Sequence, residues 1–179
     1  MGGIARFVLF GAVGFGIGGA IGGIISTDGP ILLAFPIMGG IGGMSLGLAL
    51  RSWKMAGLLT LAGVVGISLG YVINGFIMFA FGQSLQIPSQ SLFGVIFRSL
   101  PIAGAFTGLA FGLPLYSWKT AGLLALTGAI AFLIVGQVQK VVPTGLITPQ
   151  LLSRVTQMVI WGVVGGALWG MVLGYLKKE

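Results

Sequence analysis

Ser52 stands two residues before Lys54, and Ser117 two residues before Lys119. A hydroxyl beside an amine is the raw material of a Ser–Lys dyad, in which a neighbouring base activates the hydroxyl as a nucleophile. Both pairs fall in short polar breaks between apolar runs, however, where cations and small polar residues read as turn and topology signals. The rest of the chain offers little else for catalysis. There is no His and no Cys, and the only carboxylates are Asp28, in a break, and Glu179. Imidazole base, thiolate nucleophile, disulfide and Cys/His metal centre are all excluded. The chain is read as not an enzyme, with no metal and no cofactor; haem or a pigment would lack its usual His ligand. The stretch Gly14-Phe15-Gly16-Ile17-Gly18-Gly19 mimics part of a dinucleotide fingerprint, but no strand precedes it and no βαβ unit surrounds it.

Two groups of polar residues remain as candidates. Arg98 stands about two helical turns into an apolar segment, and an intramembrane cation is a functional candidate by default. With Lys140 and Arg154 it would form a basic outer mouth for anions or acidic lipid headgroups; snorkelling to the interface is the plainer use. Asn74 and Gln139 lie 65 positions apart at matching places. Together with Gln137 they are candidates for a polar vestibule, against the commoner role of hydrogen bonding between helices.

The elements that must position these residues are set by composition. Of the 179 residues 56% are hydrophobic and only 6% charged, where a soluble domain has about a quarter charged. With a mean hydropathy of +1.12, this is an all-α integral membrane protein. A hydrocarbon core of roughly 30 Å takes about 20 helical residues. Apolar stretches of that order fall at 4–26, 31–50, 55–82, 92–116, 120–142 and 156–176, giving six transmembrane helices in a single domain, 1–179. The first is read as a membrane helix, not a signal peptide, because no A-x-A-like site follows it. Met1-Gly2-Gly3-Ile4-Ala5-Arg6 also fails the myristoylation pattern.

The net charge of +7 would suggest nucleic acid in a soluble protein. Here the cations punctuate apolar runs and form no stripe, so the expected partner is the lipid bilayer, with no nucleic acid. Arg6, Arg51, Lys54, Lys119, Lys177 and Lys178 fall on one side, and Arg98, Lys140 and Arg154 on the other. The excess of Lys and Arg places both termini in the cytoplasm. Trp53 and Trp118 then sit at the inner interface, where an indole has both apolar and wet surroundings.

The string Ser-Trp-Lys occurs at 52–54 and again at 117–119. Aligning 36–63 with 101–128 gives 16 identities in 28 positions. Each copy is a helix, a tight turn and a second helix in the same direction, so the repeat, about 31–82 and 92–142, is parallel. A partial third copy combines 156–176 with 1–26. If the sixth helix pairs with the first, three hairpins surround a pseudo-threefold axis.

The 34 glycines lie inside the apolar segments. Residues four apart share a helix face, and small side chains there let two backbones approach closely. Four such columns are read as glycine zippers: Gly14, Gly18 and Gly22; Gly39, Gly43 and Gly47; Gly104, Gly108 and Gly112; and Gly166, Gly170 and Gly174. Pro36 and Pro101 precede two of them and are expected to kink their helices. The expectation for function is a non-catalytic structural or accessory subunit that packs with itself or with other membrane subunits. The alternative is a small pore or facilitator, for anions or lipids, with a basic outer mouth.

An even number of spans puts both termini on one side and the connection after the third helix on the other. Reporter fusions at Ser89 and Glu179 should therefore report opposite sides; the same side from both would make the helix count wrong.

Overall fold

The computed structural model describes residues 3–28, 31–84, 101–115, 117–141 and 150–177. These form six α-helices and two 3₁₀ turns: α1 (Gly3–Asp28), a turn at Ile31–Leu33, α2 (Ala34–Ala49), α3 (Trp53–Ser84), α4 (Pro101–Gly112), a turn at Leu113–Leu115, α5 (Trp118–Val141) and α6 (Gln150–Leu176). Among the described residues there is no strand. Four helices are long and apolar enough to cross a membrane: α1, α3, α5 and α6. This is consistent with an integral membrane protein.

Of the other two apolar helices α2 is shorter than the sequence suggests, while the part of the expected 92–116 span before Pro101 lies outside the described residues. The expected continuous span over 31–50 divides into a 3₁₀ turn and a helix of 16 residues, which is about 24 Å long against a hydrocarbon core of about 30 Å. Pro36 is the third residue of α2, whereas the residues that precede Pro101 lie outside the described residues, and with them the kink expected there. A proline in the first helical turn forfeits an N–H that has no intrahelical acceptor in any case, so the kink expected at Pro36 is not required. Pro114 has the stronger effect. It lacks the N–H that would reach the Ala110 carbonyl, and it disfavours helical geometry in the preceding residue. Accordingly α4 ends at Gly112 and tightens into a 3₁₀ turn, whereas α2, with Ala49 at the matching place, runs on to that residue.

The connection from α2 to α3 is short and fully bonded. Leu50 N donates to the Leu46 and Gly47 carbonyls and Arg51 N to Leu48 O at 2.9 Å. Arg51 takes a left-handed conformation, φ 57°, which reverses the chain at a position usually held by glycine. Ser52 then caps α3, its Oγ accepting from Met55 N at 3.2 Å, and Ser117 caps α5 by accepting from Thr120 N at 3.2 Å. The hydroxyls that could have formed a dyad are thus helix N-caps.

Each helix packs on the next, and α6 packs on α1 more extensively than any other two helices pack, closing the sequence into a ring. Backbones touch where glycines meet. A Cβ on Gly39 would overlap the Gly63 backbone, and one on Gly63 that of Gly39; Gly104 with Gly128, and Gly166 with Gly11, exclude each other in the same way. One turn along, Gly43, Gly108 and Gly170 press on the carbonyls of Leu59, Leu124 and Phe7. A further turn brings Gly47, Gly112 and Gly174 against Ala56, Ala121 and Ile4. Between these tight pairs, Gly14, Gly18 and Gly22 on α1 meet Ser45, Met38 and Ala34 on α2, and Gly66 and Gly70 on α3 meet Ala110 and Ala103 on α4.

The interior of the ring is filled with rings of another kind. Phe15, Phe111 and Trp169 are buried together, with centroids 5.8, 5.1 and 5.3 Å apart, and Phe132 lies 6.5 Å from Trp169. Leu46, Leu59, Ile67 and Leu124 belong to the same core, to which all six helices contribute.

Gly43→Ile and Gly108→Ile force a branched side chain into a backbone contact and are each expected to destabilise by about 1–3 kcal/mol or more. The measurement is the melting temperature in detergent. Gly122→Ala, at a position with nothing within 4 Å of a built Cβ, should leave it unchanged or slightly raised; equal losses at all three positions would refute the packing account.

Candidate functional site

At one end of the bundle Gly174 meets Ile4, Gly47 meets Ala56 and Gly112 meets Ala121. Arg6, Arg51, Lys54, Lys119 and Lys177 all belong to this end, and no carboxylate does among the described residues. Trp53 is 76% exposed and Trp118 81%, so both indoles project outward from the first turns of α3 and α5. The Arg6 guanidinium stands 5.4 Å from the centroid of the Phe7 ring. Beside the second Ser-Trp-Lys turn a half-open groove of about 230 Å³ is lined by Gly112, Leu113, Ser117, Trp118 and Ala121. A second, nearly wholly apolar groove of about 240 Å³ lies between α2 and α3, against Phe35, Pro36, Ser68 and Tyr71.

The candidate basic mouth and vestibule fall only in part among the described residues. Arg98, and the side chains of Lys140 and Gln139, lie outside the described residues. Arg154 is described, and its Nη1 donates to the Ser26 carbonyl in the last turn of α1. The sequence accounts for this bond. The residue four beyond Ser26 is Pro30, which has no N–H, so continuation of the helix could not satisfy that carbonyl. A cation at a helix C-terminus is also favoured by the helix dipole. Ser26 is buried and donates its own hydroxyl to Gly23 O at 2.9 Å. Arg154 therefore ties α6 to α1, as the Gly23 and Val155 contact beside it does.

The proposed vestibule does not assemble from its described members. Asn74 is 1% exposed, in the core, whereas Gln137 lies on the exposed side of α5. The Asn74 amide nitrogen and oxygen have no hydrogen-bond partner among the described residues, and the same is true of the Trp161 indole nitrogen.

The remaining hydroxyls do not mark a polar route. Thr60, Ser68, Thr107 and Thr127 each donate to the carbonyl four residues earlier in their own helix, at 2.6 to 2.7 Å, which consumes the donor inside the helix. Ser45 is the exception and donates across to Phe10 O, joining α2 to α1. Trp169 also crosses, its indole nitrogen donating to Leu124 O at 3.2 Å in the buried centre. Among the described residues no group of three His, Cys, Asp or Glu could hold a metal ion.

No family model, curated protein or solved structure matches this chain.

Several structural roles were readable in principle but not recognised from the sequence. Ser52 and Ser117 immediately precede helices, which is the usual N-cap signal. The orphaned Ser26 carbonyl is announced by Pro30. Nothing local distinguishes Ser45 or Trp169 from other residues of their segments, because their partners come from distant helices.

Arg154→Ala leaves the Ser26 carbonyl without its donor, and an unsatisfied buried polar group costs about 1–3 kcal/mol. A lower melting temperature in detergent is expected, with Arg154→Lys intermediate, since an amine keeps the charge but not the guanidinium geometry. Full stability of Arg154→Ala would show that this bond contributes nothing.

Proposed function

We propose that the chain is a non-catalytic, six-span membrane protein built as a parallel internal repeat of glycine-zipper hairpins, and that it serves as a structural or accessory subunit. One observation carries the functional reading. The centre of the ring is closed by Phe15, Phe111, Phe132 and Trp169, all within 6.5 Å of a neighbouring ring centroid, so an ion there would find no group to replace its hydration shell. A dry, interlocked interior suits a body whose work is packing.

The repeat reading is supported by partners at a constant offset: Gly39 with Gly63 and Gly104 with Gly128, then Gly43 with Leu59 and Gly108 with Leu124. The same register appears in Gly166 with Gly11 and Gly170 with Phe7, as a third hairpin cut open between α6 and α1 would require. The accumulation of cations at the end holding Arg6, Lys54, Lys119 and Lys177 supports a cytoplasmic placement of that end. Gly57 and Gly122, each one turn beyond an exposed tryptophan, have nothing within 4 Å of a built Cβ. Such open small-residue positions suit close approach by another membrane helix, from a larger complex or a second copy.

The test is reconstitution of the purified protein in vesicles, alongside its mass after mild extraction from its native membrane. Vesicles tight to chloride and nitrate, with a co-migrating partner or a self-oligomer, are the expected results. Robust anion flux, lowered by Arg98→Gln, would overturn the reading in favour of a pore or facilitator with a basic mouth at Arg98, Lys140 and Arg154.

A further inference from the structure

We propose that the groove at the second Ser-Trp-Lys turn is a binding site for one anionic phospholipid. The inference goes beyond the accessory-subunit reading and requires only that the chain lies in a bilayer. The floor of the groove is the contact of Gly112 with Ala121, where α4 and α5 touch. Its walls are Leu113, 55% exposed, and Trp118, 81% exposed. Leu113 stands clear of the helix packing because Pro114 ends α4 one residue earlier and turns the chain into a 3₁₀ bend. These walls offer an acyl chain two large apolar faces at the depth where an indole belongs, the boundary of hydrocarbon and headgroups.

Charge selects the headgroup. Lys119 follows Trp118 directly, and this end of the bundle also carries Arg6, Arg51, Lys54 and Lys177 with no carboxylate among the described residues. The Ser117 hydroxyl, which lines the groove and accepts from Thr120 N, still has its own O–H to donate to a headgroup oxygen, and the cation nearest to the groove in sequence is the exposed Lys119. A zwitterionic lipid satisfies the apolar walls but brings no net charge. A soluble phosphate brings the charge but leaves Leu113 and Trp118 uncovered. An anionic phospholipid does both.

The experiment is native mass spectrometry of the delipidated full-length protein in detergent, titrated with palmitoyl-oleoyl phosphatidylglycerol or with the corresponding phosphatidylcholine. The glycerol lipid should be retained about fivefold or more over the choline lipid, the factor that one cation contributes near an anionic surface. Lys119→Gln, at an exposed position, should abolish that preference, and Leu113→Trp should reduce retention of both lipids by filling the groove. Lys54→Gln, at the first turn, should leave the preference largely intact. Glycerol 3-phosphate, a headgroup without chains, should not displace the bound lipid. Equal retention of the two lipids, equal losses from Lys54→Gln and Lys119→Gln, or displacement by glycerol 3-phosphate would each overturn the site. None of these outcomes bears on whether vesicles stay tight, so the two proposals fail independently.

Discussion

Helices inside a bilayer gain almost nothing from removing apolar surface from water, because lipid tails are as apolar as leucine. Attraction has to come from dispersion contacts, which fall off steeply with distance, and from weak Cα–H···O contacts between backbones. Both require the helix axes to be close. The contacts of Gly39 with Gly63, Gly104 with Gly128 and Gly166 with Gly11 meet this requirement, since no side chain separates the two backbones. The rest of the bundle follows from that proximity. Three tight pairs leave an interior narrow enough for a few aromatic side chains to fill.

How that interior is filled shows steric bookkeeping across distant segments. Three residues beyond Gly39, Gly104 and Gly166 come Gly42, Thr107 and Trp169. The smallest of them receives the ring of Phe15, which occupies the place a Cβ of Gly42 would take. The largest, Trp169, reaches Phe15 and Phe111 and bonds to the Leu124 carbonyl. Close packing of the interior is thus reached with unlike residues at like places. The same economy governs polar groups. Thr60 and Thr107 donate within their own helices, Ser45 crosses to the Phe10 carbonyl, and the Ser26 carbonyl takes its donor from Arg154. Asn74, buried with neither amide atom partnered among the described residues, departs from this pattern, as do the Trp161 indole nitrogen and Arg6 Nε. Buried amides ordinarily carry a partner.

Membrane character was legible from composition alone, whereas Gly11, Gly63 and Gly128, which meet Gly166, Gly39 and Gly104 backbone to backbone, were not among the glycines singled out by spacing. Gly43, Gly108 and Gly170 each press on a backbone carbonyl, and each was identified from spacing, because a face free of Cβ atoms has few uses in an apolar helix. The pairing of α6 with α1 was also anticipated from the glycine register. Helix ends were read less well. Pro36 suggested a kink, yet it falls in the first turn of its helix. The cause is that the consequence of a proline depends on where the helix begins, which apolar runs do not mark.

The candidate polar site was the least legible part. Asn74 and Gln137 were grouped by their place along the chain, but one is buried and the other exposed, because helix rotation in the ring decides which face turns inward. Arg154 was read as a mouth-lining charge and instead caps α1, a role that needs two segments 128 residues apart to meet. By itself the sequence determined what each segment is: its solvent, its contact face, and the absence of His and Cys. Those are properties of residue type and periodicity. Tertiary structure alone decided what meets what: which ring fills the space beside Gly42, which carbonyl receives Arg154, and which indole stands in the core while two others stand outside. Such choices depend on rotation and distance between helices that no local pattern contains.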